Sequence, residues 1–329
     1  MNDLFYNFLA FIKGLVGNWG VAMIIFTILI RAALTPLDMK SRVGMRKTQK
    51  LQPQLQALQK KYANDKDKLN AKTAELYKKE HVNPMSSCLP LLLTWPILII
   101  VFNAMRMAAN QEMLKQMAQV LNGAETIQME PFLWIKNLWM PDNLFKTAFP
   151  DEATLKAIPL DQWQKWFNGL ADGEIPIMLR EMGITSIDSD AVTQIIEKIA
   201  SLDIYKAQTA LNPEMVVPLF NWTVPETGNI NGWLLLPVLS ALSQIVMTKI
   251  TTGNQPQQPA ANGQPNTGKV LQYFFPVFSL WICLNATASF ALYWVAGNLV
   301  SMVQTIVINK VLDKREAEAA TVAGEGSVK

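Results

Sequence analysis

NWGVAMIIFTILIRAALTPL, residues Asn18 to Leu37, is an apolar run holding one cation, Arg31, and no Asp or Glu. Its length is that of one membrane-spanning helix, which needs about 20 predominantly apolar residues. A cation at the centre of such a helix costs from about 2.5 to more than 10 kcal/mol, so an Arg kept there points to function. A second reading stands beside this one. Arg31 lies six residues before Leu37, about 9 Å of helix, close enough for its long stem to snorkel to the headgroups.

Composition extends the membrane reading to the whole chain. Half of the residues are hydrophobic and 17% are charged, against about 25% charged in soluble domains. Further charge-free stretches run from Met85 to Met105, from Asn229 to Thr248 and from Val270 to Asn309. The last is too long for one crossing, and Asn285-Ala-Thr-Ala-Ser289 offers a polar turn within it. The fold expected is therefore an all-α membrane protein with five transmembrane helices, placed at 18–37, 88–107, 231–249, 270–287 and 288–309.

Lys and Arg set the orientation. Asp38 to Ser87 holds twelve Lys/Arg against five Asp/Glu, a net of +7, whereas Ala108 to Gly228 holds eight against sixteen, a net of −8. The basic loop belongs in the cytoplasm. The N-terminus then lies outside, the 108–230 insert outside, and the 250–269 linker and the 310–329 tail inside.

The connecting segments have their own patterns. Residues 1–17 repeat Leu4, Phe5, Phe8, Leu9, Ile12, Leu15 and Val16 at helical spacing, as an amphipathic helix lying in the outer interface does; an uncleaved signal anchor is the alternative. In the 38–87 loop, Leu51, Leu55, Leu58 and Tyr62 make one helical face and Leu69, Thr73 and Leu76 another. The polar turn Tyr62 to Lys68 joins them into a basic hairpin, with Pro53 interrupting or starting its first helix. The insert has helical periodicity at Asp151 to Leu170 and Asp190 to Ala210. Its Trp134, Trp139, Trp163, Trp166 and Trp222 suit either interfacial anchoring or a small helical core. Gly253 to Gly268 is a low-complexity linker.

Enzyme signatures do not emerge. His81 is the single histidine and stands without partners for metal or triad chemistry. No phosphate-loop or dinucleotide motif occurs, so no cofactor is expected. Cys88 and Cys283, both in apolar runs, read as small hydrophobes. None of the five expected spans carries Asp, Glu or His, which disfavours an ion-coupled transporter and makes Arg31 an acceptor for something acidic.

Four segments together resemble the YidC insertase family, whose relatives include the mitochondrial Oxa and chloroplast Alb proteins. They are NWGVAMIIFTILIRAALTPLDMKS from Asn18, MRKTQKLQPQLQALQKKYANDKDKL from Met45, ELYKKEHVNPMSSCLPLLLTWPILI from Glu75 and ASFALYWVAGNLVSMVQT from Ala288. The resemblance covers residues 17–112, 130–142 and 230–312, and leaves the stretch from Asp142 to Leu211 without a counterpart.

The resemblance implies an insertase and chaperone for new membrane proteins, working without covalent chemistry through a hydrophilic groove open to cytoplasm and lipid. Arg31 matches the groove arginine of the family, and Thr27, one turn earlier, shares its face. Trp294 matches an aromatic position that contacts substrate, and Gln244 is assigned to the groove from the third span. Asn298 shares a face with Trp294, and interhelical bonding explains it. The implied partners are nascent membrane proteins with short acidic extracytoplasmic segments and the lipid bilayer, with no direct nucleic-acid contact. The Sec translocon and the ribosome are further candidates, although Lys310 to Lys329 holds four basic and four acidic residues rather than a strongly basic tail. No extra outer domain or lipid-modifiable Cys precedes Asn18, and a missing transit peptide suggests a bacterial plasma membrane. The alternative from another class is a channel or secondary transporter for a small anion.

Overall fold

A computed structural model describes the backbone of residues 2–82, 89–211, 213–217, 222–225, 229–252 and 267–326. Most of the linker at 253–266 and Cys88 lie outside the described residues, and so does the side chain of Trp222. Contacts divide the chain into two units. One comprises Met1–Phe26, Ile100–Ala241 and Phe278–Val295; the other comprises Thr27–Ile99, Leu242–Val277 and Ala296–Lys329.

The first unit begins with α1 (Asn2–Val16), whose Leu9 and Ile12 are buried while Leu4, Phe11 and Leu15 stay exposed. Gly17 turns the chain at a φ of 75°, a left-handed value that glycine adopts without a Cβ penalty. The side chain of Asn18 then accepts from the Val21 amide at 3.1 Å and caps α2 (Trp19–Lys50). Phe5 and Phe8 pack their rings on Phe26 at 6.0 and 5.9 Å, fixing α1 to the start of α2.

α5 (Leu89–Leu121) carries the chain into the insert. There α6 (Glu152–Lys156), α7 (Leu160–Asn168), α8 (Ile177–Glu181), α9 (Ser189–Ser201) and α10 (Asp203–Thr209) enclose a small core. Trp163, Ile195, Ile199 and Leu155 have 0% exposure and Trp166 has 5%. Trp163 and Trp166 meet edge to face at 6.3 Å. Of the two readings of the insert's tryptophans, the helical core holds for Trp163 and Trp166, whereas Trp139, also buried, packs its ring on Trp19 at 5.1 Å. Strong amphipathy of α7 and α9 and carboxylate caps at Asp151 and Asp188 explain why these short helices form. A two-stranded antiparallel ladder, β1 (Pro213–Val217) with β2 (Trp222–Pro225), follows. It departs from the all-α expectation; Val216, Val217, Thr223 and Val224, β-branched residues, favour extended backbone there.

A closed knot of polar side chains holds the loops of this unit. Asn231 accepts from the Asn137 amide at 2.7 Å and donates to the carbonyls of Asn137, Met140 and Pro141, each at 2.9 Å. Asn137 bonds Gln116 and the Ala148 carbonyl. Asp142, fully buried, accepts from the Leu234 and Leu236 amides and from Trp134 Nε1. It thereby occupies the N-terminus of α11 (Leu235–Thr252), where orphan amides and the helix dipole favour a carboxylate. A Cβ on Gly232 would lie 2.1 Å from Asp142 Oδ1, so only glycine fits.

In the second unit α2 continues past Leu37 to Lys50, because the basic residues that follow are good helix formers. α3 (Gln52–Lys61) starts with Pro53 in its first turn, and α4 (Lys66–Lys79) is capped by Asp65, which accepts from the Lys68 amide. Leu51, Leu55 and Val82 form their shared cluster, flanked by Leu76 and Tyr77. His81 is exposed. α12 (Thr267–Asn285) and α13 (Ala288–Gly326) complete the chain. Among the described residues, Trp19–Lys50 and Ala288–Glu318 are long and apolar enough to cross a membrane.

Candidate functional site

Arg31 sits on α2 where that helix meets α13. A Cβ placed on Gly297 would lie 3.4 Å from Arg31 Nη2, 3.8 Å from its Nε and 3.8 Å from Thr27 Cγ2. The guanidinium thus lies close to the α13 backbone at Gly297, at a distance where a Cβ would make ordinary van der Waals contact. Thr27 is fully buried and Arg31 half-buried. These two sequence-assigned residues therefore come together, on one face of one helix, as their four-residue spacing requires.

The backbone of Arg31 is tied down separately from its charge. Gln304 donates from Nε2 to the Arg31 carbonyl at 2.8 Å and to Thr35 Oγ1 at 2.7 Å, and Thr35 itself donates to the Arg31 carbonyl at 3.1 Å. Pro36 removes a ladder donor in the same turn, which loosens the backbone that Gln304 braces. Among the described residues Arg31 makes no ion pair. Asp38, two turns on, is a carboxylate on which the charges of both Arg31 and Arg42 act. It escaped the sequence reading because it stands one residue beyond the apolar run.

Gln244 lies on α11, where its carbonyl accepts from Thr248 Oγ1 at 2.8 Å. Its neighbour Ser243 is the residue that reaches α13, accepting from Asn298 Nδ2 at 3.0 Å. Asn298 is accordingly an interhelical tie. In the first unit, Trp294 packs its ring on Phe290 at 5.7 Å, and its buried indole N–H has no hydrogen-bond partner. A buried donor left open is an available contact, since leaving it unsatisfied costs free energy.

Sequence reasoning missed Gly297 and Gln304. Both had a signal: they follow Trp294 by three and ten residues in a charge-free segment, so a polar Gln and a Cβ-free position stood within a helix of apolar neighbours. What they face was not readable.

The family profile described as 60Kd inner membrane protein matches residues 11–316. The chain belongs to that family. That match runs through the middle of the insert, where motif reading found no counterpart. A protein named membrane protein insertase YidC from Treponema denticola is 26% identical over 300 residues, 91% of this chain and 36% of that protein. Proteins of the same name from Fusobacterium nucleatum and Clostridium tetani are 46% and 38% identical over 108 and 136 residues. Those alignments cover 32% and 40% of this chain and 53% and 54% of the relatives. The chain thus spans a third to a half of the length of these relatives. With its apolar helices, family membership makes it an integral bacterial membrane protein.

Proposed function

We propose that the chain is a membrane protein insertase and chaperone in which Arg31 receives the acidic extracytoplasmic segment of a nascent protein. The observation that carries this reading is a guanidinium on an apolar helix, beside Thr27 and over Gly297, with no ion-paired carboxylate among the described residues. A relative named insertase that aligns with 91% of the chain supports it. In this reading α2, α5, α11, α12 and α13 are the five spans, α1 lies in the outer interface, the α3–α4 hairpin and the C-terminus are cytoplasmic, and the insert is outside. The domain boundaries inferred from the sequence are kept, with the helices running on beyond the lipid.

The mechanism follows from solvation. Each charged group of a translocating segment is expensive in hydrocarbon. A polar groove shortens the dry path, and a fixed cation in low-dielectric surroundings attracts a carboxylate more strongly than it would in water. Thr27 and Trp294 supply hydrogen-bonding and aromatic contact to the segment, and Gln244 lines the groove from α11. The apolar part of the substrate leaves sideways into lipid, its burial stabilising the product by about 25 cal/mol per Å². No nucleotide or covalent step enters. The Sec translocon and the ribosome are partners that this scheme accommodates without requiring them.

Arg31→Ala is expected to impair insertion of small substrates with acidic tails and to affect neutral-tailed substrates less, read by protease protection in proteoliposomes. Equal insertion of both by the variant and the parent would sink the mechanism. Selective anion flux lost with the same substitution would instead support a small-anion channel.

A further inference from the structure

Beyond Gln304 the facing surfaces of α2 and α13 change from neutral to charged. Arg42 donates to the Thr305 hydroxyl. Arg46 Nη2 donates to the Asn309 carbonyl at 3.2 Å and to Asn309 Oδ1 at 3.4 Å. The same guanidinium lies 2.8 Å from Asp313 Oδ1 and 3.5 Å from Glu316 Oε1, and Lys50 Nζ lies 3.1 Å from Glu316 Oε2. A cavity of about 530 Å³ opens among these side chains and the end of α11 at Ile250 and Thr251.

Two kinds of partner hold Arg46, and they differ in how readily they can be exchanged. Asn309 is neutral and orients the guanidinium through backbone and side-chain oxygens. Asp313 and Glu316 supply the countercharge, but their side chains are 68% and 47% exposed against 21% for Arg46. An exposed carboxylate loses little on returning to water, and exposed ion pairs contribute little to stability. Arg46 therefore stays aimed while its countercharges are replaceable, and its fork of donors matches a carboxylate in two-point fashion.

Spacing connects this cluster to Arg31. Residues 31, 35, 38, 42 and 46 recur at three- and four-residue intervals and fall on one face of α2. From Arg46 to Arg31 is fifteen residues, about 22 Å of helix.

We propose that Arg46, with Arg42 and Lys50, forms an entry site for the carboxylates of an acidic polypeptide segment, and that Asp313 and Glu316 of the chain's own last helix are its resident occupants. An arriving carboxylate displaces them and is then passed along the same helix face. This rests on the reading of Arg31 as the receiving charge. A neutral segment cannot displace the resident carboxylates, so the site sorts segments by charge before they reach Arg31.

The test uses the full chain in zwitterionic nanodiscs and a fluorescent Asp/Glu-rich peptide, with the Asn/Gln counterpart as control. Asp313→Asn combined with Glu316→Gln is expected to tighten binding of the acidic peptide about three- to tenfold. Arg46→Gln should abolish that gain, Arg46→Lys should keep most of it, and the neutral peptide should respond to neither. Unchanged affinity for the acidic peptide in the doubly neutralised variant, or equal binding of the neutral peptide, overturns the proposal. Both carboxylates are exposed, so their neutralisation leaves folding intact. Arg31→Ala separates the two readings. Peptide binding that persists in Arg31→Ala while insertion falls supports both; binding lost with Arg31→Ala and untouched by Arg46→Gln overturns the entry site alone. Insertion unchanged by Arg31→Ala overturns the receiving role, and peptide binding then reports on the entry site by itself.

Discussion

The polar knot around Asn231 and the polar seam between α2 and α13 are made of the same kinds of side chain and do opposite work. In the knot, Asn137, Asn231 and Asp142 are fully buried; the two asparagines bond each other, and Asp142 accepts from the Leu234 and Leu236 amides and from Trp134 Nε1. In the seam, Arg31 has no ion pair among the described residues, Gln304 Oε1 and Ser301 Oγ are buried without partners, and Arg46 is paired to exposed carboxylates. A closed network rigidifies, because every member would leave an unpaired buried group behind if it moved. An open one is a place where an incoming polar chain improves the bonding.

The largest expected effect lies in the knot. Asn231→Ala leaves the Asn137 amide and the Pro141 carbonyl without partners and takes one of two donors from the Asn137 and Met140 carbonyls, and should lower stability by about 3 kcal/mol, measured by thermal unfolding in detergent; a loss below about 1 kcal/mol would mean water replaces the side chain and the knot is not closed. Next comes the apolar core of the insert. Trp163→Ala empties the centre of the insert core and should cost about 3 kcal/mol or more. Because Trp163 is not among the residues assigned to the seam, acidic-tail insertion per folded molecule should stay as in the parent; a matching fall in insertion would break the distinction.

In the seam the order reverses, with function moving more than stability. Gln304→Leu keeps the Arg31 charge but frees its backbone, and should reduce acidic-tail insertion about two- to fivefold while shifting stability by less than about 1 kcal/mol. A stability loss as large as that of Asn231→Ala would make the seam a second knot. The smallest effect is a pH dependence at the insert. Burial tends to raise the Asp151 carboxyl pKa, but bonds from Thr154 and Lys146 outweigh it and hold the group below its ordinary 3.8. A depressed carboxylate stabilises the fold above its unfolded pKa, and that contribution disappears as pH falls through the folded value. Asp151→Asn should therefore flatten the stability profile below about pH 4, leaving neutral pH little changed.

Much of this was legible in the chain. Arg31 could be read because a cation in an apolar run is conspicuous on hydropathy alone, and Thr27 followed from helical spacing. The four motifs carried the family, which the profile match over residues 11–316 shows. Asn298 illustrates the limit. Its position in an apolar helix was visible, but only the packing of α11 against α13 decides that Ser243 is the residue it bonds. The insert's tryptophans show the same limit, since interfacial anchoring and core packing use identical residues and differ only in what covers them.

Composition and periodicity determined that this chain enters a membrane and that its first long apolar helix carries a charge. These properties depend on local sequence and on transfer between water and hydrocarbon, which need no partner to be evaluated. The neighbours of that charge were decided by tertiary structure alone. Gly297, Gln304, Asn309 and Asp313 are more than 260 positions away from the α2 residues they meet, and only the packing of α2 against α13 says which side chains share the seam.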